Sequence, residues 1–123
     1  MREIKFRAWD KENKEMLSDV SLWNNDFTSY LNEHIEYLQD KCELMQYTGL
    51  KDKNGVDVYE GDIVKAHSHK PTNFKIEFIE GGFCATQKVI EYPIDINHFY
   101  PSIGCTIEVI GNIYENPELL ERE

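Results

Sequence analysis

His67 and His69 lie two residues apart, so on a strand both imidazoles project from one face. That is half of a metal site, for which His98 or Cys84 is the candidate third ligand. The segment is polar and ends at Pro71, and no third ligand follows at fixed spacing, so two solvated histidines account for it. Glu60 and Asp62 flank Gly61 and are a candidate acid/base pair, but an Asp beside a turn glycine serves first to bond free backbone N–H groups. Asp52, Asn54, Gly55 and Asp57 resemble a calcium loop in composition only. An EF-hand places its Gly after three alternating oxygen ligands and closes on a distant Glu, so a hairpin turn is the better account. Ser, Cys and His are present, yet no Gly-x-Ser-x-Gly, Walker-type loop or His-Glu-x-x-His links them. The reading is a non-enzyme with no catalytic, metal or cofactor-binding residues.

Charge points the same way. Thirteen Lys and Arg against twenty-three Asp and Glu give a net charge of −10, which argues against a general nucleic-acid binder. The densest cationic cluster, Arg2, Lys5, Arg7 and Lys11, reads as a solvated strand face. With Trp9 it is the one patch that would serve the alternative of a nucleic-acid-binding module. The acidity keeps the chain soluble; mimicry of DNA is its sharper reading. Tyr47, Tyr59, Tyr92, Tyr100 and Tyr114, with Trp9 and Trp23, supply core and, for some of them, a contact surface. Cys42, Cys84 and Cys105 are odd in number and include no Cys-x-x-Cys, which suits free thiols in a reducing compartment. No apolar run reaches membrane-spanning length and Met1–Lys5 lacks a signal-peptide pattern, so the expected location is cytoplasmic.

The elements that must position these residues are mostly strands. The chain of 123 residues is 41% hydrophobic and 12% aromatic, a globular composition weighted toward β-formers. Ile4, Phe6 and Ala8 alternate with Lys5, Arg7 and Trp9, predicting a strand with one row inward and the other toward solvent or a neighbour, and a hairpin over 3–17. Asn24, Asn25 and Asp26 precede Phe27, Leu31, His34, Ile35 and Leu38, whose spacing predicts a helix over 27–39. From Cys42 the period is two, and Asn54-Gly55 supplies the positive φ angles of a tight hairpin turn. Val56–Tyr59, Ile63–Ala66, Phe74–Phe78 and Phe83–Thr86 follow as strands, with turns at Glu60-Gly61-Asp62 and Gly81-Gly82. A short strand near Val89–Glu91, a loop holding Ile94, Ile96, Phe99 and Tyr100, and a strand over Ile107–Ile110 continuing to Ile113 after Gly111-Asn112 complete the sheet. Asn116 caps a closing turn that Pro117 begins.

Four blocks carry a resemblance: Ile4–Asp10, Leu44–Gly55, Tyr59–Val64 and Val109–Leu119. Together they look like the YopX family, in the family's order and over nearly the whole chain. The resemblance implies a bacteriophage or prophage protein of low-GC Gram-positive bacteria and a β-rich fold whose larger lobe is similar to an SH3-type barrel. It brings no activity and no catalytic residues. The expected architecture is mainly β: an SH3-like, partly open barrel over 43–123 with a C-terminal helical turn, and a strand or hairpin and one helix within 1–42 packed on it. The expected function is a non-enzymatic phage accessory role exercised by contact with a host or phage protein, self-association included; the alternatives are the nucleic-acid module and a metal-dependent hydrolase using His67 and His69.

Overall fold

The computed structural model describes residues 4–20, 42–67, 72–87, 93–96 and 106–120. The chain forms two compact units, Met1–Tyr47 and Thr48–Glu123. In the first, β1 (Phe6–Asp10) pairs antiparallel with β2 (Glu15–Val20) on one side and with the N-terminal half of β3 (Cys42–Lys51) on the other. The turn between β1 and β2 is held by Asp10, whose Oδ1 accepts the N–H groups of Glu12 and Asn13 at 3.0 and 3.1 Å. Lys14 takes a φ of +55° and donates its N–H to the Asp10 carbonyl.

In the second unit the C-terminal half of β3 neighbours β4 (Asp57–Tyr59). A five-stranded sheet follows: β5 (Asp62–His67), β6 (Thr72–Ile79), β7 (Gly82–Thr86), β8 (Ile94–Asp95) and β9 (Thr106–Asn112), in the order β8-β7-β6-β5-β9. Its four strand pairings are antiparallel, which lets short turns join successive strands. The fold is mainly β, with a curled half-barrel sheet, as expected. Its core collects the inward row of each strand: Leu50, Val58, Val64, Ala66, Phe74, Ile76, Phe83, Ala85, Ile96 and Ile107. Ile76, Val58 and Val64 have no solvent exposure, and each buried branched side chain of this kind contributes roughly 1.5–3 kcal/mol. A 3₁₀ turn, Pro117–Leu120, lies against β6 and is tied there by Asn73 Nδ2 donating to the Leu119 carbonyl at 3.0 Å.

Several expectations need correction. Ile4, in the apolar row of β1's alternation, is exposed, while Ala8 of that row and Trp9 of the other are both buried. Both faces of β1 are therefore covered at its C-terminal end. Along β3 the inward residues are Met45 and Tyr47, then Thr48 and Leu50, so parity changes from odd to even. Gly49 has a φ of +92° at this place, a conformation that interrupts the regular pleat.

The turn at Asn54-Gly55 is not the two-residue type expected, since only Gly55 has positive φ, at +84°. Gly55 N–H donates to the Asp52 carbonyl, making a four-residue turn with Lys53 and Asn54 at its centre and Gly55 in the left-handed region. The two-residue turn lies instead between β6 and β7. Ile79 pairs with Gly82, and the residues between them, Glu80 and Gly81, have φ values of +49° and +84°. Positive φ at both central positions is what a type I′ turn requires.

Ile94 stands in strand β8 rather than in a loop, with Ala85 opposite. The irregularity in β9 falls at Ile110, because Ile63 pairs with Gly111 and Val64 with Val109. Beyond the strand Asn112 Oδ1 accepts the N–H groups of Tyr114 and Glu115, and Asn116 stands just before the 3₁₀ turn, its carbonyl accepting the Leu119 N–H at 3.1 Å. The expected helix over 27–39, the strand at 89–91, Phe99 and Tyr100 lie outside the described residues.

Candidate interaction surface

The residues with chemical potential are largely engaged in holding the backbone. Asp62 is 1% exposed and its Oδ2 accepts the Tyr59 N–H at 2.8 Å, closing the turn in which Gly61 takes a φ of +87°. That is the capping role expected of it, and it withdraws Asp62 from acid/base work with Glu60. Asp52 is likewise buried, and its carboxylate accepts three backbone N–H groups, from Asn54, Val56 and Val109. Asp57 pairs with Lys51 across the β3–β4 hairpin. His67 Nε2 lies 2.9 Å from Glu108 Oε1 on the neighbouring strand β9, with Lys53 Nζ at 4.0 Å from the same oxygen. His69 and His98 lie outside the described residues, and among the described residues no group of three or more His, Cys, Asp or Glu is placed to hold a metal.

The basic-aromatic patch is not assembled in the way the sequence suggested. Lys5 Nζ stands 4.6 Å from the centre of the Tyr47 ring, a cation–π contact in which the ring is buried. Lys11 pairs with Glu43 at 3.0 Å. Trp9 is 8% exposed, too little to offer a stacking face to a base. Arg2 lies outside the described residues.

Cys84 occupies the centre of a row on the face of the five-stranded sheet opposite the core, between Glu77 on β6 and Asp95 on β8. Burial raises its thiol pKa, and the charges of Asp95, Glu77 and Glu80 raise it further. Glu77 is itself fixed by Thr86 Oγ1, which donates to Oε2 at 2.6 Å, and by Lys75 at 3.3 Å from Oε1. An electronegative, partly buried setting disfavours the thiolate, so Cys84 is no activated nucleophile. Cys42 is raised in the same sense, by burial and then by Asp10.

What the sheet does expose is an aromatic ring. Phe78 continues the inward row of Phe74 and Ile76, but it lies beyond the core, near the turn, and half of it is open to solvent. Its ring meets that of Phe83 edge to face, with centroids 5.0 Å apart and planes at 68°. The pair is set at the end of the β6–β7 hairpin, with Glu77 and Glu80 as its sequence neighbours and the Glu80-Gly81 turn holding the two strands in register. Of the tyrosines and tryptophans read as core and, for some, contact surface, Tyr47, Tyr59 and Trp9 are buried, Tyr114 is half-buried, and Tyr92, Tyr100 and Trp23 lie outside the described residues. Strand alternation alone groups Phe78 with Phe74 and Ile76; the signal that it differs is its place two residues before the Glu80-Gly81-Gly82 turn, where the sheet runs out of partners.

The model of the family described as YopX protein matches residues 5–121. Among solved structures, the crystal structure of protein EF1440 from Enterococcus faecalis is similar with a TM-score of 0.65 and 30% identity, over 98% of this chain and 99% of that one. Protein yopX from Bacillus subtilis is similar in fold with a TM-score of 0.55 and 21% identity, over 98% of this chain and 99% of that one. No curated protein matches. No helix among the described residues is long and apolar enough to cross a membrane.

Proposed function

The chain belongs to the YopX protein family, and on that premise we propose that it is a phage- or prophage-encoded accessory protein of the host cytoplasm, non-enzymatic, working by contact with another protein. The observation that carries this reading is Phe78, a half-exposed aromatic ring braced by Phe83 on a short hairpin. Solvent exposure of a large aromatic costs stability that burial in the core would supply, and aromatics of this kind are enriched at interface centres. Glu77 and Glu80 beside it, on a chain of net charge −10, favour a partner with an apolar socket and a basic rim. Asp52 and Asp62 are spent on backbone N–H groups, which supports a binding role over a catalytic one.

The test is an affinity capture of tagged protein from host lysate, with and without phage infection, using wild type and Phe78→Glu side by side. The expected result is a stoichiometric protein partner with little absorbance at 260 nm, at least about tenfold depleted by the substitution, as for a central hot spot. Circular dichroism verifies that the variant is folded. Nuclease-sensitive material absorbing at 260 nm with no protein, or a partner indifferent to Phe78→Glu, overturns the proposal.

A further inference from the structure

Asn54 is the one asparagine of this chain that precedes a glycine, and an Asn-Gly pair carries a reaction of its own. The glycine nitrogen can attack the side-chain amide carbon of the asparagine, since no side chain on the following residue obstructs it. Gly55 N gives up its proton and bonds to Asn54 Cγ, and the side-chain nitrogen leaves as ammonia. The succinimide then adds one water and opens at either carbonyl, leaving aspartate or isoaspartate at position 54. Water is the only co-reactant.

The β3–β4 turn presents this pair to solvent: Asn54 and Gly55 are both exposed, and a Cβ at Gly55 would meet nothing within 4 Å. Yet the same turn holds the reacting atoms apart. Gly55 N–H donates to the Asp52 carbonyl at 3.0 Å, so the proton that must leave is engaged. Neither Lys53 nor Asn54 has a positive φ, so the turn is of type I, in which the second central residue has a ψ near 0°. Ring closure needs the Gly55 nitrogen to eclipse Cβ about the Asn54 Cα–C bond, a ψ of about −120°, outside the main allowed regions. Reaching it breaks the Gly55 bond and pulls on two more, because Asp52 Oδ1 accepts the N–H groups of Asn54 and Val56 at 2.8 and 2.9 Å. The negative charge of that carboxylate also opposes an amide anion on Gly55 N. Asp52 is anchored on the Val109 N–H, and Lys53 N–H on the Ile107 carbonyl, so the pair reacts only when the turn lifts from β9.

We propose that Asn54-Gly55 is a latent self-modification site that the Asp52 turn keeps closed, and that isoaspartate formed there releases the turn from β9. The isoaspartyl product carries the main chain through the former side chain, one methylene longer, and sets a second carboxylate beside that of Asp52. A longer and more acidic turn loses the Gly55 bond to the Asp52 carbonyl, and the edge of β9 that it covers opens to pairing. None of this depends on Phe78.

The test follows position 54 by peptide mapping and mass spectrometry in mildly alkaline buffer. Three samples are compared: folded wild type, wild type unfolded in guanidinium chloride, and Asp52→Asn shown to be folded by circular dichroism. Aspartate and isoaspartate are expected to accumulate at least about tenfold faster in the unfolded chain than in the folded one, and several-fold faster in Asp52→Asn than in folded wild type. Equal rates in folded and unfolded wild type, no reaction in the unfolded chain, or an Asp52→Asn rate equal to that of folded wild type overturns the proposal. The isoaspartyl fraction, separated by its added negative charge, is expected to melt several degrees below the unmodified protein. An equal melting temperature overturns the release from β9.

Discussion

The carboxylate of Asp52 accepts the backbone N–H of Val109 at 2.9 Å, joining positions 57 residues apart in sequence. Its other oxygen accepts the N–H groups of Asn54 and Val56 at 2.8 and 2.9 Å, and Lys53 N–H donates to the Ile107 carbonyl at 2.9 Å. β9 is the last strand of the five-stranded sheet, so the β3–β4 turn covers an edge that would otherwise present unpaired backbone groups. Asp52→Ala removes three charge-assisted bonds from a side chain that is 7% exposed. The expected cost is about 2–4 kcal/mol, read from urea unfolding; a loss under about 0.5 kcal/mol would show that water replaces the carboxylate at no penalty.

The same group makes stability depend on pH. Burial pushes the Asp52 carboxyl up, but the N–H groups of Val109, Val56 and Asn54 outweigh it and hold the pKa below 3.8. A depressed folded-state pKa contributes stability that is complete above the unfolded value and lost as pH falls through the folded one. The expected outcome is a stability plateau above about pH 5 and a decline below about pH 4, with a shallower decline in Asp52→Asn. Asp10 is shifted in the same direction, chiefly by the Asn13 N–H, so the residual slope in the variant is not zero.

How much of this was legible in the sequence depends on what each residue interacts with. The strands and the Gly61 turn follow from local alternation and turn chemistry, because neighbours in sequence decide them. Asp62 as a backbone cap was legible for the same reason. The partner of Asp52 was not, since Val109 becomes adjacent only when β9 is laid beside the turn. Trp9 is core, as expected of most of the aromatic set, and it is buried together with Ala8 of the alternate row because the end of β1 is covered on both faces. Phe78 shows the converse: alternation gives a direction, inward, but not whether core remains at that point of the strand. The turn at Asn54-Gly55 differs from the tight one expected because Asn-Gly fits a type I′ turn by propensity, while the hydrogen bond from Gly55 to Asp52 selects a longer one.

Gly111 illustrates a constraint without any φ requirement. A Cβ placed there would stand 2.6 Å from Asn116 Oδ1 and 2.9 Å from Asn116 Cβ, inside the loop in which Asn116 Oδ1 accepts the Asn112 N–H. Gly111→Ala is expected to cost about 1–3 kcal/mol by displacing Asn116. Asn116→Gly removes the obstructing atoms, so Gly111→Ala made in that background costs less than about half as much, read as a double-mutant cycle. Equal penalties in both backgrounds would place the strain elsewhere.

The β6–β7 turn contains an improvable residue. Glu80 holds a φ of +49°, which a non-glycine side chain tolerates poorly, and Gly81 follows at +84° with open space around its missing Cβ. Asn tolerates the left-handed region better, and Asn-Gly is a preferred pair for a type I′ turn. Glu80→Asn should therefore raise stability by about 0.5–1 kcal/mol, seen as a higher urea midpoint at unchanged slope. Gly81→Ala should lower it by a similar amount or more, through backbone strain alone. A neutral Glu80→Asn would mean that the glutamate makes compensating interactions of its own.

The setting of Cys84 predicts slow thiol chemistry. Burial raises the pKa first, and Asp95, Glu77 and Glu80 then oppose the negative charge of a thiolate. Since only the thiolate attacks an alkylating reagent, the rate at a given pH follows the thiolate fraction. Iodoacetamide at pH 8, with each site followed by mass spectrometry, should modify Cys84 roughly several-fold more slowly than a free cysteine peptide. Removing one of the opposing charges with Glu77→Gln or Asp95→Asn should speed that reaction by about two- to threefold. Asp95→Asn is the cleaner variant, because Glu77 also binds Thr86 and Lys75. A rate in wild type above that of the free peptide would reveal an activated thiol and would reopen nucleophilic chemistry at this strand.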